Sequence, residues 1–205
     1  MCIWKCSESI SEKTIIGYFP NIFTPETAER VTKWLEHLEY IEGITSSGAS
    51  IDRLQLWYQR DGHYFGKRWK TLHPRWKSHE YEQILLSIQD TVQHKLNDIA
   101  MDISVPLINS CLINKYRNGN DFITPHRDNI NSFGESPTIA GLSFGATRTL
   151  RLTHLITGHV QDIELEDNSM FIMAGASQKF YTHEILRDPE ISSVRYSLTF
   201  REYIC

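Results

Sequence analysis

Hydrophobic residues recur at helical spacing in the first half of the chain. From Thr24, apolar positions follow at intervals of three and four until Gly43 and a Ser-Ser-Gly segment end the pattern, with Thr24 as a candidate N-cap and Pro25 in the first helical position. A second apolar stripe predicts a helix from about Ser78 to Ile99. The two stripes consist of Ala28, Val31, Leu35 and Leu38, and of Tyr81, Leu85, Ile88, Val92 and Leu96. We therefore predict two amphipathic helices, after a short strand from Thr14 to Pro20, that cover one side of the core.

The pattern changes to a period of two residues after Val105. In the first strand of this half, Leu112, Asn114 and Tyr116 share one face, and an Asn-Gly-Asn turn follows at residues 118–120. Further strand candidates are residues 138–144, 147–152, 160–165, 169–173, 179–185 and 193–202. Because the helices precede the strands and do not alternate with them, the fold class is α+β, and the run of short strands predicts a sandwich or small barrel.

The last predicted strand carries arginines on its polar face. Its polar positions Arg195, Ser197, Thr199 and Arg201 alternate with Tyr196, Leu198 and Phe200. If the apolar face packs on the helices or on a second sheet, both arginines point into the barrel, where an unpaired charge is prohibitively costly. They would then need an anion, and a small dicarboxylate suits the bidentate geometry of a guanidinium. Periodicity alone also allows the opposite arrangement, with the arginines on an exposed face.

A histidine and a carboxylate lie two positions apart just after the first strand and its turn. In an extended segment, His126 and Asp128 point to the same side and can hold one metal ion. We predict His183, in the penultimate strand, as the third ligand. Two histidines and one carboxylate form the facial triad of non-haem Fe(II) oxygenases, which leaves positions open for a cosubstrate and O₂. Such triplets arise often by chance, so the order of the elements around them carries the prediction.

Basic and aromatic residues are interleaved between the two predicted helices, from Arg53 to Lys77. Asp61 is the one acid in this segment. The aromatic residues are Trp57, Tyr58, Tyr64, Phe65, Trp69 and Trp76. This mixture suits a surface that holds phosphates and stacks a base. The alternative is a solvated loop with aromatic side chains in the core, and composition does not separate the two.

Length, charge and cysteine content limit the class of protein. The 205 residues suffice for one domain, which we place at 14–205 after a loose lead-in at 1–13. The chain has no signal pattern and no apolar run of membrane-spanning length, so we expect a soluble intracellular monomer of the cytoplasm or nucleus, with no membrane partner. The cysteines at positions 2, 6, 111 and 205 suit a reducing compartment, and Cys2 and Cys6 have no nearby companions for a zinc site. The net charge of −4 does not by itself indicate a nucleic-acid-binding protein.

Four blocks between residues 109 and 201 resemble the AlkB family of Fe(II)- and 2-oxoglutarate-dependent dioxygenases. The blocks are NSCLINKYRNG at 109–119, HRD at 126–128, IAGLSFGATR at 139–148, and MAGASQKFYTH at 173–183 leading into RYSLTFR at 195–201. The pattern R-x-x-L-T-F-R is specific to this family among related oxygenases. The chain looks most like the branch that includes the eukaryotic DNA and RNA repair demethylases.

The resemblance implies a fold and a set of residue roles. The fold would be a double-stranded β-helix, or jelly roll, at residues 105–202, with supporting N-terminal helices and a nucleotide-recognition lid at about 45–77. The catalytic iron ligands would be His126, Asp128 and His183. Arg195, supported by Tyr116, would pair with the C5 carboxylate of 2-oxoglutarate. The cosubstrate pocket would be completed by Asn114, Ser197 and Arg201.

The resemblance also implies an activity, the oxidative demethylation of N-alkylated bases in DNA or RNA. With Fe(II), 2-oxoglutarate and O₂, the cosubstrate is decarboxylated to succinate, the methyl group is hydroxylated, and the unstable product releases formaldehyde. Because the base must leave the stack to reach the iron, an aromatic lid residue should stack on it opposite His126. The candidates are Tyr64 and Phe65, with Trp57 and Trp69 behind them, and each of these can equally be a core aromatic.

Two departures from the family pattern leave alternatives open. Repair members have acidic residues after the HxD unit that read the damaged base, whereas this chain has Asn129, Ile130 and Asn131, and Ser197 replaces the family's Asn. One alternative is therefore an iron enzyme that hydroxylates or demethylates a protein side chain. Another is a nucleic-acid-binding module without turnover, which the complete triad disfavours.

Overall fold

The computed structural model describes residues 2–7, 13–44, 50–66, 76–99 and 105–204. Its strands and helices follow the predicted order, with the two long helices before most of the strands. In chain order they are β1 Cys2–Ser7, β2 Lys13–Phe19, α1 Pro25–His37, β3 Ile41–Ile44, β4 Ser50–Gln59, α2 Gln83–Ile99, β5 Ser110–Tyr116, β6 Ile123–His126, α3 Ile130–Phe133, β7 Ile139–Gly145, β8 Arg148–His154, β9 Val160–Leu165, β10 Ser169–Gly175, α4 Ser177–Phe180, β11 Tyr181–Ile185 and β12 Arg195–Arg201.

The strands form two antiparallel sheets that face each other. The larger sheet has eight strands in the order β1-β2-β10-β7-β12-β5-β4-β3, and the smaller has four in the order β6-β11-β8-β9. Apolar side chains of both sheets meet between them, including Met173 of the larger sheet and Leu152 and Ile163 of the smaller. This is the predicted α+β architecture with a jelly-roll core.

Helices α1 and α2 cover the outer face of the larger sheet. Val31 and Leu35 of α1 and Leu85 of α2 are fully buried in one cluster with the sheet residues Leu142 and Leu198. The Thr24 hydroxyl accepts a hydrogen bond from the Thr27 N–H at 3.3 Å, which confirms the predicted N-cap. Within the described residues, no helix is both long and apolar enough to cross a membrane.

The second helix starts five residues later than predicted, at Gln83. Residues 78 and 79 instead join the extended chain to β4: the Gln59 N–H donates to the Ser78 hydroxyl at 2.7 Å, and the His79 N–H donates to the Trp57 carbonyl at 2.8 Å. Because the backbone groups near residues 78 and 79 already bond to β4, they are not available for the first turn of a helix. The apolar stripe predicted from the sequence is therefore longer than the helix α2 itself.

The predicted loose lead-in at 1–13 is wrong for residues 2–7. Strand β1 pairs antiparallel with β2 from Cys2 opposite Tyr18 to Ser7 opposite Lys13. Without β1, strand β2 would leave a row of backbone donors and acceptors unpaired at the sheet edge. The sequence pattern of residues 2–7 does not show this edge, because the pairing depends on where β2 lies in the sheet.

The predicted lid at about 45–77 is also partly wrong, because residues 50–59 are a sheet strand. Strand β4 pairs with β5 over the stretch from Leu54 opposite Lys115 to Gln59 opposite Ser110. Residues 45–49 and 67–75, which include Trp69, lie outside the described residues. The first part of the basic and aromatic segment, residues 53–59, therefore belongs to strand β4 of the larger sheet.

The turn between β5 and β6 forms where predicted, and a buried arginine, Arg148, stabilises it by hydrogen bonds. At Gly119 a Cβ atom would lie 1.6 Å from the Asp188 carbonyl oxygen, so no other residue fits there. The guanidinium of Arg148 donates to the carbonyls of Asn118, Gly119, Asp121 and Leu186. These hydrogen bonds fix the position of the turn, and therefore the position of strand β6 and of the metal-ligand pair His126 and Asp128 that follows the turn.

Candidate metal centre and its pocket

The three predicted metal ligands meet at the open edge of the smaller sheet. His183 of β11 lies directly opposite His126 of β6, and Asp128 follows two residues after His126. One ligand atom from each side chain lies within 4.8 Å of the other two, and the histidine rings are 4.2 Å apart between centroids. The predicted grouping is therefore present in the fold.

The protonation states of the three residues suit a divalent metal. Burial lowers the pKa of His183 to about 3 and also lowers the pKa of His126, so both imidazoles are neutral near pH 7. The His126 Nδ1 lies 2.9 Å from the Thr124 carbonyl, which makes Nδ1 the protonated nitrogen and leaves Nε2 as the metal-binding atom. Burial opposes ionisation of Asp128, but Arg201 and the histidines outweigh it and hold the pKa of Asp128 below its ordinary value.

Asp128 is held by two residues whose role the sequence did not reveal. The Arg201 guanidinium donates from Nε to Asp128 Oδ2 and from Nη2 to Oδ1, the latter at 3.2 Å. The Asp128 N–H donates to Gln178 Oε1 at 2.9 Å. Arg201 was predicted to complete the cosubstrate pocket, and it does line the cavity, but the contacts in the structure are to the candidate metal ligand.

Arg195 lies buried in the interior with a free donor. Its side chain is 2% exposed, Nε donates to the Ser143 hydroxyl at 2.8 Å, and the guanidinium lies 4.9 Å from the Tyr116 ring centroid. Within the described part of the chain, Arg195 Nη1 has no hydrogen-bond partner. A buried guanidinium with an unused donor and no carboxylate beside it fits an anionic ligand such as the end of a dicarboxylate. The structure thus confirms that the polar face of the last strand points inward.

Asn114, a predicted cosubstrate residue, is fixed by two neighbours on β4. Arg53 Nε donates to Asn114 Oδ1 at 3.0 Å, and Gln55 Nε2 donates to the same oxygen at 3.1 Å. Sequence reasoning missed Arg53 and Gln55 because it assigned this segment to a lid. Their alternation with apolar residues from Ile51 to Trp57 is the signal that could have identified the strand.

A cavity of about 360 Å³ connects these groups, which is large enough for a small-molecule cosubstrate and part of a substrate. It is lined by the three candidate ligands together with Asn114, Tyr116, Arg195, Ser197 and Arg201. Its lining also includes the aromatic rings of Phe65 and Trp76, whose centroids are 4.7 Å apart. The predicted iron and cosubstrate residues therefore share one pocket with an aromatic wall.

The predicted substrate-stacking residues divide into three groups. Phe65, a predicted stacking residue, lines the cavity together with Trp76, which the sequence analysis did not propose as a substrate contact. Trp57 is 0% exposed and packs in an aromatic cluster with Phe133 and Tyr203, so its assignment as a substrate contact is wrong. Tyr64 does not line the cavity and is tied down through its carbonyl, which accepts a hydrogen bond from the Tyr203 hydroxyl at 2.7 Å. Trp69 lies outside the described residues.

The residues after the HxD motif form a short helix at the rim. Asn129 lines the cavity and caps α3, because its Oδ1 accepts a hydrogen bond from the Asn131 N–H at 2.9 Å. Asn131 is exposed and does not line the cavity. The position that follows Asp128 in the cavity lining is therefore occupied by a neutral amide.

A facial triad beside a buried arginine, on a double-stranded β-helix, defines a 2-oxoglutarate-dependent oxygenase site. Comparison with known proteins agrees, since the family model described as the 2OG-Fe(II) oxygenase superfamily matches residues 16–201. The human alpha-ketoglutarate-dependent dioxygenase alkB homolog 3 is 28% identical over 159 residues, which are 73% of this chain and 51% of that protein. The DNA oxidative demethylase ALKBH2 of Mus musculus is 24% identical over 198 residues, covering 89% of this chain and 78% of that protein.

Solved structures share the fold. The structure of OsALKBH1 superimposes with a TM-score of 0.61 at 11% identity, over 91% of this chain and 97% of that one. A prolyl hydroxylase of Trichoplax adhaerens, in complex with a peptide fragment, gives a TM-score of 0.60 at 13% identity, over 92% and 83% of the two chains. The chain spans about half the length of the human relative that it matches.

The chain belongs to the 2OG-Fe(II) oxygenase superfamily, and the relatives named above are AlkB homologues. The superfamily implies Fe(II), 2-oxoglutarate and O₂ as the metal and the cosubstrates. The residues present fit these groups: three neighbouring ligand atoms for the metal, and a buried arginine with an unused donor for the cosubstrate.

Proposed function

We propose that the protein oxidatively demethylates N-methylated bases in DNA or RNA. The observation that carries the proposal is the single cavity that joins the triad, the buried Arg195 and the aromatic wall of Phe65 and Trp76. In the reaction, O₂ and 2-oxoglutarate give succinate and CO₂, and one oxygen atom enters the C–H bond of the methyl group. The hydroxymethyl product then breaks its C–N bond to leave the unmethylated base and formaldehyde.

Each site residue has a specific task in this proposal. His126, Asp128 and His183 hold the iron, which when bound supplies the oxidising chemistry. Arg195 pairs with the C5 carboxylate of 2-oxoglutarate, and Tyr116, Asn114 and Ser197 line the pocket around it. Arg201 keeps Asp128 ionised and oriented, because its guanidinium donates hydrogen bonds to both carboxylate oxygens.

The aromatic wall is the proposed platform for the base. A base in a helix is out of reach of a buried metal, so it must flip out of the stack. Stacking on an aromatic side chain is worth about 1–3 kcal/mol per base, which helps to offset the cost of unstacking. Trp76 and Phe65 line the cavity and together offer this surface.

The test measures succinate and formaldehyde from oligonucleotides that carry single N-methyl lesions, with Fe(II), 2-oxoglutarate and O₂ present. We expect the two products in equal amounts from a methylated oligonucleotide and little formaldehyde from its unmethylated twin. Asp128→Ala should abolish both products and also the uncoupled decarboxylation of 2-oxoglutarate. Bound cosubstrate without turnover on any methylated base would refute the proposal, and decarboxylation that persists in Asp128→Ala would refute the metal site.

A second candidate function is the oxidation of a protein side chain. It is favoured by the uncharged residues 129–131, where repair members carry acids, and by the net charge of −4. This alternative predicts no salt-sensitive oligonucleotide binding and no effect of reversing the charges of Arg68 and Lys70. A linear fall of log affinity with log salt concentration would instead support the nucleic-acid substrate.

A further inference from the structure

The cavity carries more positive than negative charge. Among the described residues that line it, the cations are Arg53, Arg127, Arg195 and Arg201, and the acids are Asp128 and Glu184. Histidines bind metals in their neutral form, and the charges of Fe(II) and the 2-oxoglutarate dianion cancel. The side chains of the protein therefore leave an excess of positive charge around the substrate.

Neither acid in the cavity is free to pair with a cationic ligand. Asp128 already receives two hydrogen bonds from Arg201 and is a candidate metal ligand. Glu184 follows His183 directly in strand β11, so its side chain points to the face opposite the metal-ligand side chain. The rim position after the HxD motif holds the neutral Asn129. A positively charged base would thus be brought among arginines without an available counter-charge, which is unfavourable in a partly desolvated site.

Gln55 offers a hydrogen-bond acceptor whose direction is fixed by its neighbours. The Nε of Arg53 can only donate, so the Asn114 atom that it contacts at 3.0 Å must be the oxygen. Gln55 contacts that same oxygen at 3.1 Å and must do so with its N–H, because the reversed amide would place two oxygens together. The carbonyl of Gln55 is therefore left for another partner.

That carbonyl is available to a ligand. Gln55 is 5% exposed and lines the cavity, and its Oε1 has no hydrogen-bond partner in the part of the chain that the structure describes. A buried acceptor without a donor is costly, so this position favours a ligand that presents an N–H group. Adenine and cytosine carry such a donor on their exocyclic amines, whereas thymine and guanine carry a carbonyl at the same place.

We propose that the pocket selects an electrically neutral methylated base over a cationic one, and that Gln55 Oε1 accepts a hydrogen bond from the exocyclic N–H of that base. A methyl group on the exocyclic amine leaves the base neutral and retains one N–H. Methylation of ring N1 of adenine instead creates a positive charge at neutral pH. The inference rests on the proposed function, because it takes the ligand to be a methylated base.

The test compares two oligonucleotides of one sequence, with N6-methyladenine or 1-methyladenine at the same position. Binding is measured by fluorescence anisotropy with 2-oxoglutarate and with Mn(II) in place of iron, so that no turnover occurs. We expect the N6-methyladenine oligonucleotide to bind at least about tenfold more tightly, equivalent to about 1.4 kcal/mol. Because both bases carry an exocyclic N–H, Gln55→Leu should weaken the binding of both oligonucleotides by a similar factor, and unchanged binding of both would overturn the role of Gln55. The affinity for 2-oxoglutarate is measured separately to correct for any disturbance of Asn114.

A matched pair of charge variants isolates the electrostatic part. Asn129→Asp places an acid in the cavity and keeps the helix cap, so it should narrow or reverse the preference. Asn131→Asp adds the same charge at an exposed position outside the cavity and should leave the preference unchanged. Equal effects of the two variants would overturn the electrostatic argument.

The outcomes separate this inference from the proposed function. If both methylated oligonucleotides bind more tightly than the unmethylated one, and 1-methyladenine binds as tightly as N6-methyladenine or more so, the inference is wrong and the function stands. If neither methylated oligonucleotide is preferred over the unmethylated one, the proposed function fails and the inference fails with it.

Discussion

Replacing Arg201 with methionine tests how the metal ligand Asp128 is held. Both side chains are 6% exposed, and the guanidinium donates to both carboxylate oxygens. The variant would leave Asp128 buried without its counter-charge while nearly conserving side-chain volume. Breaking a buried pair in this way costs about 3–5 kcal/mol.

The loss should be visible in thermal unfolding of the metal-free protein. For a chain of this size, about 1 kcal/mol shifts the melting temperature by roughly 2–4 °C, so we expect a fall of roughly 6–20 °C at pH 7. Saturating Mn(II) supplies a new positive charge beside Asp128 and should restore part of the difference. The Asp128→Asn/Arg201→Met double variant should lose much less than the sum of the single variants.

The effect should also depend on pH in a defined direction. In the wild type the folded-state pKa of Asp128 lies below its unfolded value of about 3.9, so the pair stabilises the protein above about pH 4 and the contribution is lost as the pH falls further. In Arg201→Met the largest of the effects that oppose burial is removed, so the folded-state pKa of Asp128 rises and ionisation of Asp128 no longer stabilises the fold to the same extent. The stability gap between the two proteins should therefore widen from about pH 4 towards neutrality. A gap below about 1 kcal/mol that is constant across this range would refute the reasoning.

Three further predictions concern single positions. Arg195→Lys keeps the charge but loses the bidentate geometry and the contact with Ser143, so anaerobic titration should show 2-oxoglutarate affinity reduced by about 10–100-fold, with metal affinity unchanged. Gln178→Leu removes the acceptor of the Asp128 N–H, and Co(II) titration followed by absorbance should show metal binding weakened by about tenfold or more, whereas unchanged affinity would exclude this role. Gly119→Ala should lower the free energy of unfolding by about 3 kcal/mol, measured by thermal unfolding, because the added Cβ clashes with the Asp188 carbonyl. Gly158→Ala has open space around it and should cost only about 1–2 kcal/mol, which is the cost of its positive φ.

The sequence allowed the metal centre to be predicted because both histidines lie on strands and Asp128 follows two residues after the end of one. The spacing of His126 and Asp128 places both side chains on one side, and alternation in the last strand separates Arg195 and Arg201 from the apolar face that packs on the helices. These are local properties of an extended chain. They hold regardless of how the strands are later paired.

The contacts between strands could not be predicted in the same way. The register of β4 against β5 places Gln55 opposite Asn114, and no periodicity within either strand contains that information. The pairing of Arg201 with Asp128, 73 positions apart, likewise depends on how the two sheets curve over the cavity. Trp57 was assigned wrongly for a related reason. Its aromatic character alone does not tell a core side chain from one that lines a pocket, and the fold buries it completely.

The measurement that tests the central claim most directly is the quantification of succinate and formaldehyde released from one methylated oligonucleotide and from its unmethylated twin under identical conditions. The account predicts formaldehyde equal in amount to succinate with the methylated strand, and succinate alone, in small amounts, with the twin. Equal succinate from both strands with no formaldehyde from either would contradict it, because the enzyme would then be active as an oxygenase without acting on methylated bases.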